Sequence, residues 1–307
     1  MTDIDFKEDT YYIEKINRLR QERQAVILAH NYQRGEVQDI ADFVGDSLAL
    51  SRQAAKTQAK VIVFCGVHFM AETAAILSPD KAVLIPDPRA GCPMAEMITA
   101  QQLREAKLKH PGATVVCYVN SSAEVKAESD ICCTSTNAIQ VVKSLDGGKI
   151  LFVPDEHLGR FVASRTKADI IYWPGYCPTH YRVLPEDILE AKARHPQAKV
   201  IVHPECRLEV IMLADEALST GGITEYVAHS DVEEIILGTE LGMAYRLQKH
   251  HPHKRVYLAT NKLVCPNMKL TTLEKVADAL EFMQHRITVP ENTRIRAKQA
   301  LDRMLAI

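Results

Sequence analysis

The chain has 307 residues, 47% of them apolar and 25% charged. That length exceeds what one simple core serves and suits two or three subdomains of about 100 residues each. Its 37 basic and 39 acidic residues leave a net charge of -2, which argues against a nucleic-acid or anionic-membrane partner.

Apolar runs such as "VIVFCGV" fall far short of the roughly 20 residues a membrane helix needs. The start, "MTDIDFKEDT", is acidic and polar, so no secretory leader is expected and a cytoplasmic location is. The 8 cysteines form no Cys-x-x-Cys pair. In a reducing compartment they read as thiols or metal ligands, not disulfides, and any metal site must gather distant residues.

In chain order, an N-terminal helix leads to the β-branched run "AVILAH" and then to the helical stretch "EVQDIADFVG". The strands "KVIVFCG" and "AVLIP" follow, and the segment closes at Cys92. A second round has strands "TVVCYV", "KILFVP" and "DIIYWP" and ends at Cys177. A third has "KVIVHP", "EIILGT" and "RVYLAT" and ends at Cys265. Two helices, roughly 271–285 and 291–305, complete the chain. Strands alternating with helices imply parallel sheets covered on both faces.

The three rounds are one unit repeated. "EAKLKHPGATVVCYVN" (105–120) lies over "EAKARHPQAKVIVHPE" (190–205), and the same shift carries Cys92 onto Cys177. In this register His30, Tyr118 and His203 coincide, as do Asp42, Asp130 and Asp215, and Ser47, Ser135 and Thr220. Such self-similarity marks repeated supersecondary units. The expected fold class is α/β: three pseudo-threefold-related, three-layer αβα (Rossmann-like) domains with parallel sheets and an active site on the central axis. The expected boundaries are 1–98 with the N-terminal helix, 99–183, 184–270, and 271–307 as C-terminal helices closing the assembly.

Ligands of open parallel sheets bind beyond the carboxyl ends of the strands. His30, Tyr118 and His203 end or leave the first strand of each unit, with Tyr32, Asn120 and Glu205 two residues on. His and Glu within one reach suit acid–base chemistry near neutral pH. Ser47, Ser135 and Thr220 stand in polar links ahead of helices, where a hydroxyl ordinarily caps and the free N–H groups offer an anion site. Glu36, Glu124 and Glu209 read as first-turn acids favoured by the helix dipole.

Each repeat ends in Cys-Pro. Proline tolerates a first helical turn, so each cysteine is expected at a loop-to-helix junction. Three thiolates suit zinc completed by a fourth ligand or water, or a [4Fe-4S] cluster with one iron open to substrate. An electron carrier would ligate all four irons, so three ligands favour catalysis. A zinc-dependent aldolase-like lyase is the alternative, and a non-catalytic metal-binding or sensor protein a third reading.

The chain resembles the quinolinate synthase family over nearly its whole length. The resemblance rests on "LAHNYQ…EVQDIADFVGDSL", "GVHFMAE", "GCPMA", "CYVN", "CTSTNA", "PDEHLG", "YCPTH", "VHPEC", "GTELG" and "CPNMK". It implies condensation of iminoaspartate with dihydroxyacetone phosphate to quinolinate, with loss of phosphate and two waters, in NAD biosynthesis. It also implies a [4Fe-4S] cluster on Cys92, Cys177 and Cys265, in a fold of three pseudo-symmetric α/β domains. By the same resemblance His30, Tyr32, Tyr118, Asn120, His180, His203 and Glu205 line the active site, and Ser47, Ser135, Ser219 and Thr220 take substrate carboxylates or phosphate. The catalytic roles are expected at Glu205, the leading general base and acid with His203 beside it, and at His30 and Tyr32, which position or protonate the triose, while Tyr118 and Asn120 hold the dicarboxylate. An aspartate oxidase or dehydrogenase is the implied source of the imine and a possible transient partner. Near the third hydroxyl the chain reads "LSTGG", a departure from the family's Gly-Ser-Thr-Ser, and it lacks the C-terminal Cys-x-x-Cys pair of some members.

Overall fold

The computed structural model describes residues 3–145 and 147–307, with side chains from 9 onward. The acidic start read against a leader therefore lies in part outside the described residues. Among those described, twelve strands form three four-stranded parallel sheets.

The first sheet comprises β1 (Ala25–His30), β2 (Phe43–Gly45), β3 (Val61–Cys65) and β4 (Ala82–Leu84). The second comprises β5 (Thr114–Tyr118), β6 (Ile131–Cys133), β7 (Lys149–Val153) and β8 (Asp169–Tyr172). The third comprises β9 (Lys199–Val202), β10 (Glu216–Ala217), β11 (Glu234–Gly238) and β12 (Arg255–Leu258). Each sheet runs second-first-third-fourth strand, so the threefold repeat of the sequence is a repeat of topology.

The sequence pattern provides three strands per repeat, and the structure adds a fourth. "EVQDIADFVG" was expected to be helical throughout, but its helix spans only Gly35–Ile40 and Phe43–Gly45 is a strand. Asp42 causes the break: Ile27 N–H donates to its Oδ2 (2.8 Å), and Asp42 N–H donates back to Ile27 O (2.9 Å). Asp130 makes the same pair with Val115 (2.8 and 3.1 Å), and Asp215 with Val200 (2.8 and 2.9 Å). The repeated aspartates thus lock each short second strand beside the first. Glu36, Glu124 and Glu209 stand in first helical turns, as expected.

The chain packs as two compact units. One comprises the residues up to Cys92 with Pro266–Pro290. Its core joins Ile16 and Leu19 of helix Asp3–Glu22 to Ile27, Val61 and Val63 of the sheet and to Leu273, Val276, Ala277 and Leu280. The last four recur at helical spacing on helix Leu273–Phe282, and each large side chain there contributes about 1.5–3 kcal/mol by leaving water. The other unit comprises Pro93–Cys265 with Glu291–Ile307 and holds the second and third sheets. Helix Glu291–Leu305 packs Ala297, Ala300, Leu301 and Met304 inward, against helix Ala123–Ala127 and β6. No helix among the described residues is long and apolar enough to cross a membrane.

Candidate active site

The loops carrying Cys92, Cys177 and Cys265 share one backbone clamp. The residue that begins the helix after each third strand donates its N–H to the carbonyl two residues before the cysteine. These bonds are His68 to Ala90 (2.7 Å), Glu156 to Gly175 (2.8 Å) and Leu241 to Leu263 (3.0 Å). Gly175 is required in its loop, because a Cβ there would stand 2.3 Å from Pro154 O. Cys92, Cys177 and Cys265 are half-buried, whereas Cys65, Cys117, Cys132, Cys133 and Cys206 are buried. Burial pushes the Cys65 and Cys206 thiols up, as suits inert core sulfur.

Proline opens a helix directly after only one of the three cysteines. Helix Pro178–Tyr181 has Cys177 at its N-cap. After Cys92 the chain makes turns before the helix Ala100–Lys109, with Glu96 N–H donating to Pro93 O (3.2 Å). After Cys265, Lys269 N–H donates to Pro266 O (3.1 Å), a short 3₁₀ helix spans Met268–Leu270, and the α-helix waits until Leu273. Thr99 and Thr272 supply the side-chain caps that hold those two helix starts downstream.

Within the larger unit, β5, β9 and helix Pro178–Tyr181 after Cys177 bring three of the expected residues onto Glu205. Tyr118 donates its hydroxyl to Glu205 Oε1 (2.5 Å), and His180 Nδ1 bonds Oε2 (2.6 Å). His180 Nε2 bonds Thr239 Oγ1 (2.9 Å), so both its ring nitrogens are engaged. The His180 and His203 rings stack with centroids 4.5 Å apart. Burial pushes the Glu205 carboxyl up, but the charge that His203 and His180 carry when protonated, with the bonds from His180 and Tyr118, outweighs it and holds it well below the usual carboxylate range. The carboxyl is only 3% exposed.

His203 and His30 share a local geometry. Glu205 N–H donates to His203 Nδ1 (3.2 Å), and Tyr32 N–H donates to His30 Nδ1 (3.2 Å). Each bond needs an unprotonated Nδ1, which in the neutral ring places the proton on Nε2. In the smaller unit the His30 and Tyr32 rings meet edge to face, centroids 4.7 Å apart. Asn120 is half-buried, and its Oδ1 is buried without a hydrogen-bond partner, an acceptor for a ligand donor.

The hydroxyls expected as caps divide differently. Asp46 caps helix Ser47–Lys56 through Ala49 N–H (2.8 Å), leaving Ser47 at the first helical position. Ser219 caps helix Thr220–His229 through Gly222 N–H (3.1 Å), with Thr220 at the first position. Asp46 and Ser219 are the better-placed acceptors, because an N-cap side chain reaches the second or third N–H and a first-turn hydroxyl does not. Ser135 is half-buried, and its neighbour Thr136 donates to Ser219 Oγ (2.9 Å), which ties the second repeat to the third.

Three participants escaped the sequence reading. Thr239 and Glu240 follow β11, and Asp155 follows β7. Asp155 caps helix Glu156–Thr166 through Leu158 N–H (2.8 Å), while its buried Oδ2 has no hydrogen-bond partner. Burial first, and the nearby Glu205 charge second, push this carboxyl up. The motifs "PDEHLG" and "GTELG" contain these residues, but nothing in their spacing separates a cap from a site residue.

Cys177 Sγ, a His180 ring nitrogen and a Glu205 oxygen lie within 4.8 Å of one another. Because both His180 nitrogens are already spent, the group reads as a thiol beside an acid–base network more than as a ready zinc triad. Cys92 in the smaller unit, and Cys177 and Cys265 in the larger, each offer a half-buried soft sulfur, the kind of donor that ligates iron–sulfur centres.

Fold and site together define a triplicated parallel α/β protein that presents three cysteines and a buried Tyr-Glu-His network. A family model described as Quinolinate synthetase A protein matches residues 14–306. A quinolinate synthase of Dehalococcoides mccartyi (strain CBDB1) is 62% identical over 293 residues, covering 95% of this chain and 97% of that protein. One of Methanosarcina barkeri (strain Fusaro / DSM 804) is 57% identical over 295 residues, covering 96% and 97%. One of Geotalea uraniireducens (strain Rf4) is 57% identical over 293 residues, covering 95% and 96%. The chain belongs to the quinolinate synthase family.

Proposed function

We propose that the chain is a quinolinate synthase, condensing iminoaspartate with dihydroxyacetone phosphate and releasing phosphate and two waters. The observation that carries this reading beyond family membership is the buried Glu205 carboxyl, bonded by Tyr118 and His180 within 4.8 Å of a half-buried cysteine sulfur. Bound by Cys92, Cys177 and Cys265, a [4Fe-4S] cluster would supply a Lewis-acidic iron without a protein ligand.

Glu205 is the base that takes a proton from the condensing carbon chain. Its conjugate acid, or His180 through Nδ1, returns a proton to a departing hydroxyl, and Tyr118 holds the carboxylate in place. Thr239 fixes the His180 ring from the opposite nitrogen. His30 and Tyr32 position the triose, and Asn120 offers its unpartnered Oδ1 to a donor on the dicarboxylate or imine. Substrate carboxylates and phosphate rest on Ser47, Ser135, Ser219 and Thr220, two of which open ten-residue helices whose N–H groups attract anions. An aspartate-oxidising enzyme of the same compartment supplies the imine, and the chain works in the cytoplasm.

Anaerobic purification followed by iron, sulfide and zinc assays tests this reading against the zinc lyase. About four irons and four sulfides per chain are expected. Zinc without sulfide would overturn it.

A further inference from the structure

The helix that follows the third strand of each sheet starts from an N-cap residue at an equivalent place: Val67, Asp155 and Glu240. Each precedes the residue whose N–H clamps a cysteine loop. Val67 has no polar side chain. Asp155 caps its helix through one oxygen and leaves the other without a hydrogen-bond partner.

Glu240 is one methylene longer and does both things. It is fully buried. Its Oε2 accepts from Gly242 N–H (2.7 Å), which caps helix Leu241–His250, and its Oε1 accepts from Cys265 N–H (3.1 Å). The carboxyl therefore fixes the peptide plane from which the Cys265 side chain departs. The neighbouring clamp, Leu241 N–H to Leu263 O, pins the same loop from the other side. A group that orients a ligand from behind is a recurrent determinant of metal retention.

We propose that Glu240 is a positioning residue that holds Cys265 in its metal-ligating orientation, beyond its duty as a helix cap. This rests on the reading that Cys265 is a cluster ligand, and the test separates the two. Glu240→Asp keeps a good N-cap but is too short for the second bond, as Asp155 illustrates. The full-length chain and its variants are loaded anaerobically with iron and sulfide and then exposed to an iron chelator, and iron release is followed by absorbance. Melting of the metal-free proteins is measured alongside.

Glu240→Asp is expected to melt as the wild type does yet release iron about 10–100-fold faster. Glu240→Gln, of native length but able to accept only one of the two N–H groups, is expected to release iron faster as well. It decides the matter if the aspartate variant does not fold. Wild-type release rates in the folded variants overturn the inference while leaving the cluster reading intact. A wild-type chain that takes up no iron and sulfide overturns both.

Discussion

Tyr118 at the end of β5 donates its hydroxyl to Glu205 beyond β9 across 2.5 Å, one of several side-chain hydrogen bonds by which the second and third repeats meet. A hydrogen bond to a charged group is stronger than a neutral one and contributes about 1.5–3 kcal/mol.

Tyr118→Phe removes that donor and leaves the rest of the ring. Chemical denaturation of the metal-free protein should show a loss of about 1–3 kcal/mol. Turnover should fall more than stability explains, because Glu205 loses a positioning partner. Unchanged stability would mean that the Tyr118–Glu205 bond does not form in solution.

Asp155→Asn tests a carboxyl whose pKa is raised by burial first and by the Glu205 charge second. A raised folded pKa means the native state binds the proton more tightly than the unfolded chain. Wild-type stability therefore falls as pH rises from the unfolded value of about 3.9 up to the folded value, and then levels. Asparagine cannot ionise and still caps the helix. The variant should match the wild type near pH 4 and exceed it at pH 8, as read from denaturation midpoints. Equal destabilisation at both pH values would show that Asp155 is charged in the fold.

Asp130→Ala and Asp215→Ala each orphan a strand N–H, at Val115 and Val200. Each should cost about 1–3 kcal/mol, and because the two sit in different sheets their double variant should be near the sum. A negligible loss in either would make the reciprocal pair a bystander of the strand, not its lock.

Those aspartates show how far the sequence could be read. Their regular spacing was visible, because a repeat preserves register, but their partners are backbone atoms that no residue code displays. The long β-branched runs announced nine strands. The added strands β2, β6 and β10, two or three residues each, carry too little pattern to be read, and tertiary bonds hold them. Glu205, His203 and Tyr118 could be picked out because titratable groups stood where a plain repeat would be apolar. Thr239 and Glu240 could not, since a hydroxyl or acid before a helix looks like a cap, and Glu240 is one. The Cys-Pro pairs were recognisable as a set, yet only Cys177 leads straight into a helix. Proline permits a helix start without compelling one.

The most direct measurement is quinolinate formed from iminoaspartate and dihydroxyacetone phosphate by the anaerobically loaded protein, compared with Glu205→Gln carrying the same iron and sulfide. The wild type should make quinolinate, and the variant should be about 10²–10⁴-fold slower, the usual weight of a positioned general base. A wild type that forms none, or a variant that keeps pace with it, would contradict the account.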